Sequence, residues 1–504
     1  MERRTFIKQL ALLGAASAVP FSLSTLAKSS SALVNVKDTF NQTLATHPEL
    51  IGFANVESDY ENTELRIEGA LPKDLQGQFV RNGPAKHERA NERYQHWFEG
   101  DGMLHKFTIE DNKIKHTGKF IRTPKFIEEE QAQRFLYSGP DSTLINAKEV
   151  SSPNVINVAN TNVIPVNDEL WALWEGGSAT AINLANLDFK HQVNLGSGTS
   201  MASQLQGMPF SAHPKVEANG DIWNFGLAHS GDVVLYHLGK NGKLKNIKVV
   251  KTGFKGAMLH DFLITQNHIL LILPSLDRKA NESRYFEGVN FNSQLPMRVM
   301  VITKSSLSIV KRYELRPGFA FHFGNAWEDK QGLIRFDASY HKNVDVLYEL
   351  SDLMQGKLES VNNKANTTVF SLYPNGQVEQ HAFDNVSEFP RVCQHLTGLK
   401  TERLFHVTGD HDAFWNHAIL GRELTSGKAD KFDYGPEFLV EEHIPVCPTL
   451  SENHGYLIGT ALHVPSKRTC LNVFDMNAIS QGPLARAWLS YHIPLGFHGN
   501  FVNV

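Results

Sequence analysis

Four histidines sit in short, turn-like contexts rich in glycine, proline, asparagine and aromatic residues. His213 lies in Phe210-Ser211-Ala212-His213-Pro214, His260 in Leu259-His260-Asp261-Phe262, His322 in Phe321-His322-Phe323-Gly324-Asn325, and His498 in Gly496-Phe497-His498-Gly499-Asn500. Neutral imidazole suits iron, zinc or copper. A set made only of histidines adds no charge, so the ion's full positive charge stays available to polarise a bound molecule. The spacings of 47, 62 and 176 residues match no zinc-finger motif. They fit one ligand per repeating structural unit, converging on a common axis. With 23 histidines in the chain, most must be surface or core residues. Asp410-His411-Asp412 with His417 is a tighter polar grouping and is read as a solvated loop. His96 and His105 flank Gly100-Asp101-Gly102, which is read as a hairpin turn needing positive φ; both histidines are treated as structural.

The elements that must position such residues are mostly short strands. Val233–Leu238 runs into Gly239-Lys240-Asn241-Gly242, and Asn-Gly between apolar runs is a strong hairpin signal. Ile269–Leu273, Arg298–Thr303, Leu333–Asp337 and Thr367–Leu372 continue the pattern, and Pro374-Asn375-Gly376 is again a turn. Helical candidates are few: 127–136 and 352–358. Some 475 residues of short strands without a linker exceed one sandwich, whereas a β-propeller grows by adding blades around an axis. No WD- or kelch-type repeat is present to fix the blade count.

The 504 residues are 41% hydrophobic and 20% charged, which excludes wholesale disorder. The formal charge of −4 provides no basic field for nucleic acid, so no nucleic-acid partner is expected. Three cysteines, Cys393, Cys447 and Cys470, are too few for a disulfide framework, although one bond between two of them is open. No CxxC is present to make a thiolate zinc site. The 31 phenylalanines, 12 tyrosines and 7 tryptophans could line an apolar tunnel as well as fill a core.

The first 27 residues have the form of an export signal: Met1-Glu2-Arg3-Arg4-Thr5-Phe6-Ile7-Lys8, an apolar stretch from Leu10 to Phe21, then small residues up to Ala27. The apolar part is too short to span about 30 Å of hydrocarbon. The paired arginines followed by Thr-Phe-Ile-Lys are of the twin-arginine type, which carries folded proteins. The expectation is cleavage near Ala27, a partnership with the twin-arginine export machinery, and a periplasmic mature protein forming one domain over residues 28–504.

Longer motifs sharpen the functional reading. Phe79-Val80-Arg81-Asn82-Gly83-Pro84, His96 to His105, Ala159-Asn160-Thr161-Asn162, Leu170 to Gly177, the four histidine segments and Ser387-Glu388-Phe389-Pro390-Arg391 follow one another from about Ile51 to Val504. In this order they resemble the carotenoid cleavage oxygenase family, which includes the lignostilbene dioxygenases. The resemblance implies an all-β, seven-bladed propeller with a helical and loop cap over the active-site face. It further implies one Fe(II) per chain held by His213, His260, His322 and His498. Glutamates are then expected behind three of the rings, at Glu175, Glu388 and Glu442, with Glu441 as the alternative to Glu442. Such carboxylates fix the tautomer and orientation of a ligating imidazole. Thr161 matches the small residue that the family places beside an open coordination position, where it would steer dioxygen. The implied reaction is cleavage of a conjugated C=C bond of a carotenoid or apocarotenoid by O2 into two carbonyl products. A lignostilbene-type dioxygenase and a non-catalytic periplasmic binding propeller are the alternatives. An apolar small-molecule substrate drawn from a bilayer would also require a peripheral membrane contact.

Overall fold

In the computed structural model, residues 30–256, 258–279, 284–358 and 364–503 are described. The proposed export signal lies outside them. Seven antiparallel sheets of four or five strands are arranged as the blades of a propeller. Blade 1 contains Gly77–Lys86 and Asp101–Glu110, and blades 2 to 6 follow in chain order, beginning at Asn162, Lys215, Leu263, Phe319 and Glu388. Blade 7 contains Phe438–Ser451, His454–His463 and Arg468–Asp475.

The ring closes twice. The late strand Gly499–Val502 joins blade 1, with Arg81 opposite Gly499 and Gln78 opposite Val502. The early strand Arg66–Gly69 joins blade 7, with Arg66 opposite Trp488. Each closing strand supplies main-chain partners to a sheet edge that would otherwise be left unpaired. The strands carry side chains alternately to their two faces, so each blade presents apolar residues to both neighbours. Trp171, Phe210 and Tyr236 fill the space between blades 2 and 3. Phe225, Leu271 and Ile302 fill that between blades 3 and 4. Phe79, Phe107, Ile458 and Leu471 join blades 7 and 1.

At the axis the backbones come closer than side chains allow. A Cβ on Gly83 would strike the Gly496 backbone, and one on Gly496 would strike the Arg81 guanidinium. Both positions sit where the segment leading to His498 crosses blade 1.

Over one face lies a cap. The helix Ser30–Thr46 buries Val36 and Phe40, and Phe40 packs with Leu353 and Met354 of the helix Asp345–Met354 and with Trp97 and Leu495. The Arg93 guanidinium sits 3.4 Å over the Phe40 ring. Two helix expectations need correction. The helix expected at 127–136 spans Pro124–Ala132, starting where Thr123 caps the Phe126 amide and ending at Gln133 with φ 50°. That expected at 352–358 instead ends at Met354, with Gly356 just beyond it in the left-handed region at φ 72°. Among the described residues, no helix is long and apolar enough to cross a membrane.

Gly100-Asp101-Gly102 is also not the turn that was expected. Gly100 has φ −62°, and Asp101 begins a strand. Glycine is needed there for space. A Cβ on Gly100 would strike the His87 ring, and one on Gly102 the Ala159 carbonyl oxygen. Asp101 is buried between Arg89 (2.7 Å) and Lys125 (2.8 Å).

Candidate metal centre

The strand nearest the axis in each blade brings one residue toward the centre. Blade 1 brings His498, just before Gly499–Val502, and blade 2 brings Thr161, just before Asn162–Val166. Blades 3, 4 and 5 bring His213, His260 and His322, while blades 6 and 7 bring Glu388 and Glu442. One nitrogen from each of the four histidines lies within 4.8 Å of the others. His213 Nε2 and His498 Nε2 are 3.0 Å apart.

Carboxylates stand behind three of the rings. Glu388 Oε2 is 2.6 Å from His322 Nδ1, and Glu442 Oε1 is 2.9 Å from His498 Nδ1. Glu175, which follows the blade 2 strand Glu169–Leu173, pairs with His260 Nδ1. Each carboxylate accepts the Nδ1 proton and so leaves Nε2 as the bare lone pair. His213 has no such partner, and its Nδ1 is buried without a hydrogen bond among the described residues.

Glu441 and Glu442 lie in a β-bulge between Val440 and His443 and take different partners. Glu442 receives two N–H groups from Arg391 at 2.7 and 3.0 Å, and the Gly499 amide at 2.8 Å. Glu441 points away from the rings. It pairs with Arg81 and accepts from Thr460 Oγ1 (2.7 Å) and the Gly496 amide (2.6 Å). It therefore braces the segment that carries His498 and does not touch the imidazole.

Burial and neighbouring charges shift the groups around the cluster in different directions. Burial, followed by the neighbouring imidazoles, holds His213 well below the usual histidine range. Burial lowers His498 to about 4 against the pull of Glu442. Burial alone would raise Glu442, but Arg391 and His498 outweigh it and hold the carboxylate far below its usual range. Glu388 is depressed in the same way by His322 and His341. Burial opposes a charged His260, but Glu175 outweighs it and raises that pKa. His213 Nε2 and His498 Nε2, 3.0 Å apart, can share a proton on His213 or bind one ion together. Arg391 balances Glu442, which leaves the Glu175 and Glu388 carboxylates against the charge of a divalent ion. The donor set thus fits a metal site, and it favours an ion that accepts neutral nitrogen ligands.

Three supporting residues carried no assigned role in the sequence reading. Arg391 is the fork that orients Glu442. His341 Nε2 shares Glu388 at 3.2 Å. Asn160 donates to the carbonyls of Phe98 (2.9 Å) and Gly100 (2.8 Å) and accepts the Thr161 hydroxyl at 2.9 Å. Arg391 and Asn160 stand inside motifs that had already been singled out, and a charge or amide in such a place was the available signal.

The remaining candidates fall elsewhere. His96 is buried, accepts the Phe98 amide and pairs with the Leu347 carbonyl. His105 Nδ1 meets His116 Nε2 at 3.1 Å. Asp433 is 2.9 Å from His417 Nδ1 and Asp410 3.5 Å from His417 Nε2, on opposite ring nitrogens, so among the described residues these three form no metal cluster.

The histidines open onto a cavity of about 1050 Å³. His260, His322, His498 and Thr161 contribute to its wall, along with Trp97, Phe98, Trp174, Phe321, Phe389, Phe414, Trp415 and Phe497. Phe389 stacks on His322 with centroids 5.1 Å apart, and Phe321 meets His260 edge-on at the same distance.

A histidine cluster that fits a metal site lies at the wall of a large aromatic cavity, on the axis of a seven-bladed propeller. The sequence matches the family described as retinal pigment epithelial membrane protein over residues 53–503. The chain belongs to this family, the carotenoid cleavage oxygenases, and is an oxygenase. It is 26% identical over 480 residues to the apocarotenoid-15,15'-oxygenase of Synechocystis sp., covering 90% of this chain and 95% of that one. It is 28% identical over 508 residues to carotenoid 9,10(9',10')-cleavage dioxygenase 1 of Pisum sativum, covering 93% and 92%. Among solved structures, the cobalt-substituted Synechocystis apocarotenoid oxygenase superposes with a TM-score of 0.80 at 25% identity, over 91% of this chain and 99% of that one.

Proposed function

We propose that this protein is an Fe(II) dioxygenase that cleaves one conjugated C=C bond of a carotenoid or apocarotenoid, using O2 and giving two carbonyl products. The observation that carries this reading is the opening of the four-histidine cluster onto an apolar, aromatic-lined cavity. His213, His260, His322 and His498 would hold the iron. When bound, the iron supplies the electron density that activates dioxygen. The rest is positioning. Glu175, Glu388 and Glu442 hold three imidazoles in the ligating tautomer. Phe321, Phe389 and Phe497 keep water from the reacting bond and give a flat, neutral polyene a surface to lie on. The Thr161 hydroxyl is occupied by Asn160, so its part is steric: it restricts one position beside the metal.

The deciding experiment incubates the iron-loaded protein with a carotenoid, an apocarotenal and a hydroxystilbene under isotopically labelled O2, and weighs the products. We expect paired carbonyl fragments carrying label from the polyenes. Cleavage of the stilbene alone reassigns the protein to the lignostilbene branch. Cleavage of none, at full iron occupancy, leaves a binding propeller.

We also propose export by the twin-arginine route, with the mature protein in the periplasm. The Arg3-Arg4 sequence supports this, as does a disulfide between Cys393 and Cys447, which suits an oxidising compartment. Replacing Arg3 and Arg4 by lysine should strand the precursor in the cytoplasm. Undiminished export of that variant refutes the route.

A further inference from the structure

Cys393 lies five residues beyond Glu388 in blade 6, and Cys447 lies five residues beyond Glu442 in blade 7. Five residues of chain reach at most about 18 Å, so each cysteine Cα lies within that distance of its glutamate Cα. The two cysteines are paired as a disulfide with Cα atoms 6.5 Å apart. The turn Gln394–Leu396, which begins at Cys393, brings His395 alongside. Both sulfurs and a ring nitrogen of His395 lie within 4.8 Å of one another. Cys393 is buried, whereas His395 and Cys447 are half-buried and open to solvent on one side. Among the described residues, none hydrogen-bonds the His395 ring. The third cysteine, Cys470, is buried elsewhere and bonded to the Ala461 carbonyl.

We propose that Cys393, His395 and Cys447 form a second metal site, for a thiophilic ion such as Zn2+, that exists only when the Cys393–Cys447 disulfide is reduced. The chemistry balances in two steps. A dithiol reductant gives two electrons and two protons to the S–S bond and itself becomes a disulfide. Metal uptake then expels the two thiol protons as the thiolates bind, without further electron transfer. Two thiolates and an imidazole leave the fourth tetrahedral position to water. Blades 6 and 7 are clipped together in both states, by a covalent bond when oxidised and by an ion when reduced. The two sites differ in character: neutral nitrogen ligands at one, anionic sulfur at the other.

Co2+ titration of the whole protein distinguishes them. After anaerobic treatment with a phosphine reductant, we expect a thiolate-to-cobalt charge-transfer band that saturates at one ion per chain. An all-histidine centre cannot give this band. It should be absent without reductant and in Cys447→Ser, and kept in Cys470→Ser. In His395→Ala the affinity should fall by at least about tenfold. The weaker cobalt spectrum of the histidine centre reports that each variant is folded. The proposal is overturned if reduced protein, with all three cysteines titrating by a thiol reagent after unfolding, shows no such band at saturating Co2+. It is equally overturned if the band survives Cys447→Ser, or if His395→Ala binds like the wild type.

Discussion

His260→Ala is expected to lose both the metal and the cleavage activity while keeping the propeller intact. Loss of an orienting carboxylate behind a ligand already costs about 10- to 100-fold in metal affinity or activity, and removing the ligand itself should exceed that. His260 is the most informative of the four because its partner tolerates the change. Glu175 has a side chain 32% exposed, so without the imidazole it can turn to water and is not left as a buried charge. The ring itself packs edge-on against Phe321, and its loss opens space at the cavity wall, away from the cores between blades. Iron should therefore fall to a small fraction of one per chain, with an unchanged circular dichroism spectrum and urea midpoint for the metal-free protein. Full iron occupancy and wild-type turnover in His260→Ala would remove this histidine from the ligand set.

Arg391→Ala should act through stability as well as through the metal. Its guanidinium gives Glu442 two hydrogen bonds and the Gly499 carbonyl a third at 3.0 Å. Glu442 is only 4% exposed. Stripped of Arg391, it is a buried carboxylate facing an imidazole and one amide. Removing one member of a buried pair costs 3–5 kcal/mol in typical cases; because Arg391 itself is about a quarter exposed, the loss here should be near the lower end, about 3 kcal/mol. A drop in the urea midpoint with an unchanged slope measures it. Glu442 would also be driven toward its protonated form, which weakens its hold on His498 Nδ1, so metal retention should fall about 10- to 100-fold. Arg391→Lys restores the charge but not the fork, and should recover more of the stability than of the metal affinity. If Arg391→Ala leaves both quantities at wild-type values, Glu442 is not held by this residue.

The parts of this structure that were legible in the sequence are those encoded locally. Asn241-Gly242 makes its turn with Gly242 at φ 73°, and the apolar run Ile269–Leu273 lies within the strand His268–Leu273. The four histidine segments stood out because each has an aromatic or small-residue turn beside the imidazole. The residues that escaped depend on contacts between blades. The partnership of Arg391 with Glu442 exists only once blade 7 is beside blade 6; the motif Ser387–Arg391 marks the arginine but not its partner. Gly102 was read by its φ preference when its reason is the Ala159 carbonyl 57 residues away. The helix Ser30–Thr46 has valines, threonines and asparagines that favour other conformations. Its burial of Phe40 against Met354 and beneath Arg93 supplies what its propensity lacks. Choosing Glu442 over Glu441 required knowing which of the two reaches His498 at the bulge in this strand.

The double closure of the ring also sets an order in time. During synthesis, His213, His260 and His322 leave the ribosome well before His498, whose strand Gly499–Val502 pairs with residues made more than 400 positions earlier. Until His498 has been made, a nascent chain can offer at most three of the four imidazoles, on blades not yet held at a fixed distance from one another. Long-range pairing of this kind is slow because the loop entropy is lost before the contacts form. Capture of a metal by all four histidines would therefore follow production of the closing strand and closure of the ring. A chain stalled a few residues short of the closing strand would be both open and without its fourth ligand.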